Sequence, residues 1–366
     1  MRRLSLLVVA SVVVVAAVVV IAILVWPSSS DDPVDHALAV MPADATTMTF
    51  TDAAATRQRL GHDDLTSESS SDEIEIFLSD SIDVPWGTSS LGAYYVQMDG
   101  WSWNFLDVEW EAAHVSEDVS ATAFKLRDDI DMDAVQAEFA DRGYEESDVD
   151  GYPAYSLDLS DLSADEAPIV SLLNVIVIPD EQLLLTGPDA EALIDPATGE
   201  TDSLVDSELA GDLVGEVESP EYLQLSLGAS SCVEALAALG TGSTPESMEE
   251  LAGALAETPG YGDLQPIAGH VAGIAVPDGE PVAQAAAAYA DDDSAAADVG
   301  PREEFVADGM SVVTGQPYSE LVSAEVESDG SMVTYDLGGG DTTLQLPRML
   351  QSRDLPWAVC PPESDG

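Results

Sequence analysis

The chain has 366 residues, 46% of them hydrophobic, and sets 70 Asp and Glu against 10 Lys and Arg for a net charge of −60. That balance excludes nucleic acid and anionic lipid headgroups as partners, because both need positive patches that displace counterions. It also excludes intrinsic disorder, which pairs high charge with few apolar residues.

Read in chain order, Met1-Arg2-Arg3 precedes an uncharged run from Leu4 to Trp26, broken by Pro27-Ser28-Ser29-Ser30. As a helix rising about 1.5 Å per residue, the run reaches roughly 34 Å, enough for a hydrocarbon core of about 30 Å. An N-terminal single transmembrane helix over residues 4–26 is therefore expected, a signal anchor with residues 1–3 as a cytoplasmic stub. Positive flanks stay inside, so the C-terminal domain is expected to be extracytoplasmic at the cell membrane. A cleaved signal peptide is the competing reading, but its apolar region spans only about 7–15 residues.

Residues 27–36 read as a tether, 37–200 as a first α+β half and 201–366 as a second. Thr46–Thr51 alternates as a strand, and Ala53–Leu60 is helical in composition. Leu91–Met98 and Trp101–Glu111 predict a hairpin about Asp99-Gly100, a preferred type I′ turn. A strand at Thr122–Leu126 leads to a helix between an Asp131 or Asp133 cap and Gly143. Further strands follow at Pro153–Leu159, Leu172–Ile178, Gln182–Thr186 and Tyr222–Leu227. Ser231-x-x-Glu234 predicts a capped helix to Leu239, and Thr244 caps another. After a strand at Val271–Val276, the alanine-rich Pro281–Ala290 predicts a helix that Asp291–Asp293 ends. Val322–Glu327 and Ser331–Leu337 form a hairpin about Asp329-Gly330. The fold class is thus α+β, with antiparallel sheets, packed helices and two similar halves.

Removing Arg2 and Arg3 leaves eight basic against 70 acidic residues, a charge of −62 on residues 27–366. About 1 M salt shortens the Debye length to roughly 3 Å and screens such self-repulsion, which reads as halophilic adaptation. Cys232 and Cys360 are the only cysteines. In an oxidising compartment they form one disulfide, worth about 4–5 kcal/mol for so long a loop. A reactive Cys232 thiol is the alternative.

Chemical motifs are sparse. Asp129, Asp131 and Asp133 imitate an EF-hand start, but Ala134 and Ala140 occupy its glycine and bidentate glutamate positions. His36, His62, His114 and His270 have no metal-ligand spacing, and neither HExxH nor GxSxG occurs. No metal or cofactor is expected. Gly338-Gly-Gly-Asp341 lacks the lysine and the following helix of a phosphate cradle. Trp101, Trp103 and Phe105 share a strand face, either as a sugar-binding platform or as core.

Met41-Pro-Ala-Asp-Ala45, Leu106-Asp-Val-Glu-Trp110 and Leu355-Pro-Trp-Ala-Val-Cys360 resemble segments of uncharacterised membrane-anchored extracytoplasmic bacterial envelope proteins. The resemblance implies that topology and no known activity. Binding or scaffolding at the cell envelope is the expected role, with an envelope protein or glycan as partner. The alternatives are a hydrolase using His62 or His114, and a glycan-binding wall module.

Overall fold

The computed structural model describes residues 32–116, 119–159, 168–233, 253, 255–311, 313–338 and 342–360. Its centre is one open antiparallel sheet of twelve strands. In chain order they are β1 Thr47–Asp52, β2 Val108–Val115, β3 Ser120–Leu126, β4 Glu145–Val149, β5 Tyr152–Ser156 and β6 Asn174–Ile178. β7 Leu183–Thr186, β8 Pro220–Leu227, β9 Gly269–Ala275, β10 Val282–Ala288, β11 Ser323–Asp329 and β12 Met332–Gly338 complete the set. Across the sheet they lie β11-β12-β10-β9-β8-β1-β2-β3-β7-β6-β5-β4.

This corrects the expected fold class. The strands on either side of residue 200 do not form separate sheets, because β1 pairs directly with β8 from Thr47↔Ser226 to Thr51↔Tyr222. Among the described residues no helix is long and apolar enough to cross a membrane. Residues 4–26, where that helix was expected, lie outside the described residues.

Helices cover both faces. On one face α1 (Pro33–Val40) and α6 (Glu208–Gly215) close a core that includes Met48, Phe50, Trp110, Ala123, Leu223 and Val271. The stretch between them in sequence supplies α2 (Ala53–Arg59), α3 (Ser71–Asp80), α4 (Met132–Asp141) and the single turn α5 (Ile194–Ala197). On the other face α3 and α4 bury Phe77, Val135 and Phe139 against Phe124, Val175, Val177 and Leu184. Beyond β8 that same face carries α7 (Asp292–Asp308), the short α8 (Tyr318–Leu321) and α9 (Thr342–Ser352), over Ile274, Ala285, Val333 and Tyr335.

Helix α4 begins at Asp131, whose side chain accepts from the Asp133 and Ala134 amides, and it stops before Gly143 at φ +85°. The hairpin about Asp329-Gly330 also forms, with Asp329 opposite Met332. Other segments take different forms. Residues 90–94 are a 3₁₀ turn, no hairpin surrounds Asp99-Gly100, and β2 starts only at Val108 to pair with β3. The alanine-rich segment is strand β10, held between β9 and β12, and Asp291 caps α7 instead of ending a helix. α1 starts inside the expected tether with Asp32 as its cap, and α9 begins at Thr342, just past the Gly338–Asp341 run. The helices expected from Ser231 and Thr244 fall largely outside the described residues.

Cys232 and Cys360 are joined by a disulfide, Cα atoms 5.3 Å apart. It ties the C-terminal segment to the end of β8 beside a parallel bridge, Val233↔Val359. Arg302 on α7 forms a fully buried ion pair with Asp298 and donates to the carbonyls of Pro356 and Val359. Tyr289 Oη donates to Asp298 at 2.5 Å, and the Gln265 amide donates to its other oxygen.

Candidate functional site

A cleft of about 540 Å³ opens where β1 ends, β2 begins and β3 ends. α1 contributes Pro33 and His36 to its wall, and α2 contributes Ala54, Ala55, Arg57 and Gln58. Asp52, Asp63, Glu109, Trp110, Lys125, Arg127 and Asp128 complete it. Chain geometry dictates this clustering. Asp52 is both the last residue of β1 and the cap of α2, its carboxylate accepting from the Ala55 amide at 2.8 Å. One turn later, Arg57 is therefore carried back over the start of β2.

Two bulges frame α2. The register of β2 against β3 shifts between Val108 and Trp110, leaving Glu109 as the extra residue. The register of β8 against β9 shifts between Pro220 and Tyr222, leaving Glu221. Bulges re-aim a side chain out of the sheet's alternation. Glu221 is satisfied: Arg59 donates to both its oxygens at 2.7 Å, and Thr56 Oγ1 donates at 3.0 Å. Gly87 seals this contact, since a Cβ there would stand 2.2 Å from Thr56 Oγ1.

Arg57 has no such partner. It is only 5% exposed, yet among the described residues its one hydrogen bond runs from Nη1 to the Val108 carbonyl at 2.8 Å, and no carboxylate there salt-bridges it. Burial accordingly lowers its pKa to about 10, against the pull of nearby Asp107, Asp52 and Glu109. Burial also lifts Asp52 from 3.8 to about 6, helped by Glu221, and raises Glu109. The other cations of the wall are engaged. Lys125 Nζ donates to Asp128 at 2.9 Å, and Arg127 grips Asp129 through two nitrogens.

Sequence reasoning missed this site because its residues come from five elements and the loops after them, spread over nearly a hundred positions. The available signal was scarcity. Only eight basic residues follow Arg3, and three of them line one cleft.

The residues singled out from the sequence lie elsewhere. Trp101, Trp103 and Phe105 are 8%, 0% and 2% exposed and belong to the core under α4. Trp101 meets Trp103 and Phe139 edge-on and carries the Arg142 guanidinium 4.4 Å above its ring. They form packing, with no exposed platform. His62 pairs with Asp80 at 2.8 Å and meets Phe77 edge-on. His114 is buried with Nδ1 2.8 Å from the Thr47 carbonyl. Among the described residues neither histidine contacts a serine hydroxyl. Among the described residues no group of three or more His, Cys, Asp or Glu is disposed to hold a metal.

No protein-family model and no curated protein matches this chain. Among solved structures, crystal form IV of TP0453 is similar at a TM-score of 0.40 and 8% identity, over 88% of this chain and 98% of that one. Crystal form I of TP0453 gives 0.40 and 8%, over 90% and 99%. Similarity at this level transfers neither site nor activity.

Proposed function

We propose that this protein is an extracytoplasmic binding domain, attached to the membrane through residues 4–26, that takes a small polar ligand into the cleft beside α2. The observation that carries this reading is Arg57: a buried guanidinium facing this cleft with no carboxylate of its own among the described residues. Concave sites with a few convergent polar groups and shifted pKa values are where ligands bind. The disulfide and the resemblance to envelope proteins support the location.

The test is thermal denaturation of the protein against a panel of small polar metabolites at high salt, repeated on Ala54→Trp, which fills the cleft. A compound that stabilises the wild type and not the variant supports the reading. Equal stabilisation of both places binding elsewhere, and chemical turnover of a bound compound overturns the binding role.

A further inference from the structure

We propose that the ligand of this cleft is a small zwitterion, whose carboxylate docks on Arg57 and whose cationic end lies among Asp52, Asp63 and Glu109. This rests on the cleft being a ligand site and adds the ligand's chemistry. Arg57 supplies the first half of the argument. A guanidinium offers five donors in a fork that matches a carboxylate, and four of those of Arg57 have no protein acceptor. Leaving a charge buried without a counter-ion is costly, so an arriving carboxylate gains more here than at an exposed cation.

The carboxylates of the wall supply the second half. Asp52, Asp63 and Glu109 line the same cleft as Arg57, and at that short range salt screens their repulsion of a simple anion far less than it screens the distant surface charge. Of the acids lining the wall, only Asp128 is held by a cation, Lys125. Asp52 accepts from a backbone amide alone, and neither Asp63 nor Glu109 has a salt bridge. A net-neutral molecule with separated charges meets both needs: it feels no net repulsion, answers Arg57 and sets an ammonium against the free carboxylates. Gln58, half-way along the α2 wall, adds an amide that suits either end.

The experiment is calorimetric titration of the folded protein, at one fixed high salt, with the ω-amino acids from glycine to 6-aminohexanoate. The matching carboxylates and alkylamines are titrated alongside. At least one zwitterion is expected to bind tenfold or more tightly than both its fragments. Arg57→Gln should weaken it at least tenfold, and Asp52→Asn should weaken it while leaving carboxylate fragments unchanged. If Arg57→Gln fails to fold, Ala54→Trp serves as the cleft variant. Binding by carboxylates alone, or zwitterion binding indifferent to these variants, overturns the inference. Neutral polyols or nucleosides that bind wild type and not Ala54→Trp would leave the cleft standing as a site and sink the zwitterion. Failure of every compound would sink both.

Discussion

The two flanks of the sheet are built to one plan and secured by different chemistry. Outward from the central pair, one flank runs β1-β2-β3-β7-β6-β5-β4 and the other β8-β9-β10-β12-β11, so five strands of each correspond and the first adds β5-β4 at its edge. In each, a helix follows the third strand, α4 after β3 and α7 after β10, and a later hairpin, β6–β7 or β11–β12, pairs beside that strand. Under α4 the space is filled by rings: Trp101, Trp103, Tyr144 and Tyr155 around Phe139. Under α7 the central strand β10 is alanine-rich, and the buried face of the helix carries Asp298 and Arg302 beside Phe305 and Val306. Both flanks have ring contacts, Phe305 meeting Tyr261 and Tyr318 in the second, but only the second adds a covalent link and a buried ion pair that seize the C-terminal segment. The first flank leaves its buried Arg57 facing a cleft, whereas the second pairs its buried Arg302 with Asp298.

The largest expected difference between the flanks comes from the disulfide. Cys232 and Cys360 are 128 positions apart, and closing so long a loop is worth about 4–5 kcal/mol in the chain-entropy model. Cys360→Ser with Cys232→Ser should lower the denaturation free energy by that order, and reductant should no longer affect the midpoint. If β9–β12 and the first flank are secured separately, tryptophan signals will split: Trp357 should respond before Trp103. Coincident loss of both signals would show the continuous sheet coupling the flanks into one cooperative unit.

Next come the two helices compared directly. Phe139→Ala empties a ring from the first flank and should cost about 3–5 kcal/mol. Arg302→Met strands Asp298 in the second flank and should cost a similar 3–5 kcal/mol, because a buried charge loses its partner. The pair of substitutions Asp298→Asn and Arg302→Met should recover part of that loss, while no second substitution of like kind rescues Phe139→Ala. Denaturant midpoints of the three variants, read against the wild type, decide the matter. Failure of the double variant to recover would mean that the carbonyl contacts of Arg302 to Pro356 and Val359, not the ion pair, hold α7.

Both successes and failures of sequence reading have local causes here. Asp329-Gly330 and Asp99-Gly100 carry the same turn chemistry, and Gly100 does adopt φ +76°. Only the first is flanked by two segments that find each other; after the second, Trp101, Trp103 and Phe105 are drawn into the core beneath α4. The β10 segment reads as a helix because alanine leads the helix scale and a run of it shows no alternation. Pairing along its whole length with β9 and β12 overrides that preference. The core and the cysteine pair were readable since apolar periodicity and compartment chemistry are local or compositional. The cleft was not, because a single-residue bulge at Glu109 and one turn of α2 bring its charges together.

The smallest effect is also the sharpest contrast, since the flanks are expected to titrate in opposite directions. Burial raises Asp52 from 3.8 to about 6, so at pH 5 the native chain holds a proton that the unfolded chain has released. Its contribution is present below about pH 4 and is lost as pH rises towards 6. Burial lowers His270 from 6.5 to about 4, Arg353 and Arg302 adding to the effect; its Nδ1 lies 2.8 Å from the Ser231 carbonyl and Nε2 has no partner. Here the unfolded chain holds the extra proton, so stability is present above about pH 6.5 and falls as pH drops towards 4. Each group shifts by about two pH units, on the order of 2–3 kcal/mol, and in the wild type the two slopes largely cancel between pH 4 and 6. Relative to wild type, Asp52→Asn should gain stability on going from pH 4 to 7, and His270→Gln should gain it on going from pH 7 to 4. Denaturant midpoints at half-unit steps measure both, and the remaining carboxylates drop out because each variant is read against the wild type at the same pH. A flat difference for Asp52→Asn would mean that this carboxyl is ionised beside Arg57 at pH 5, leaving the cleft with a partnered guanidinium.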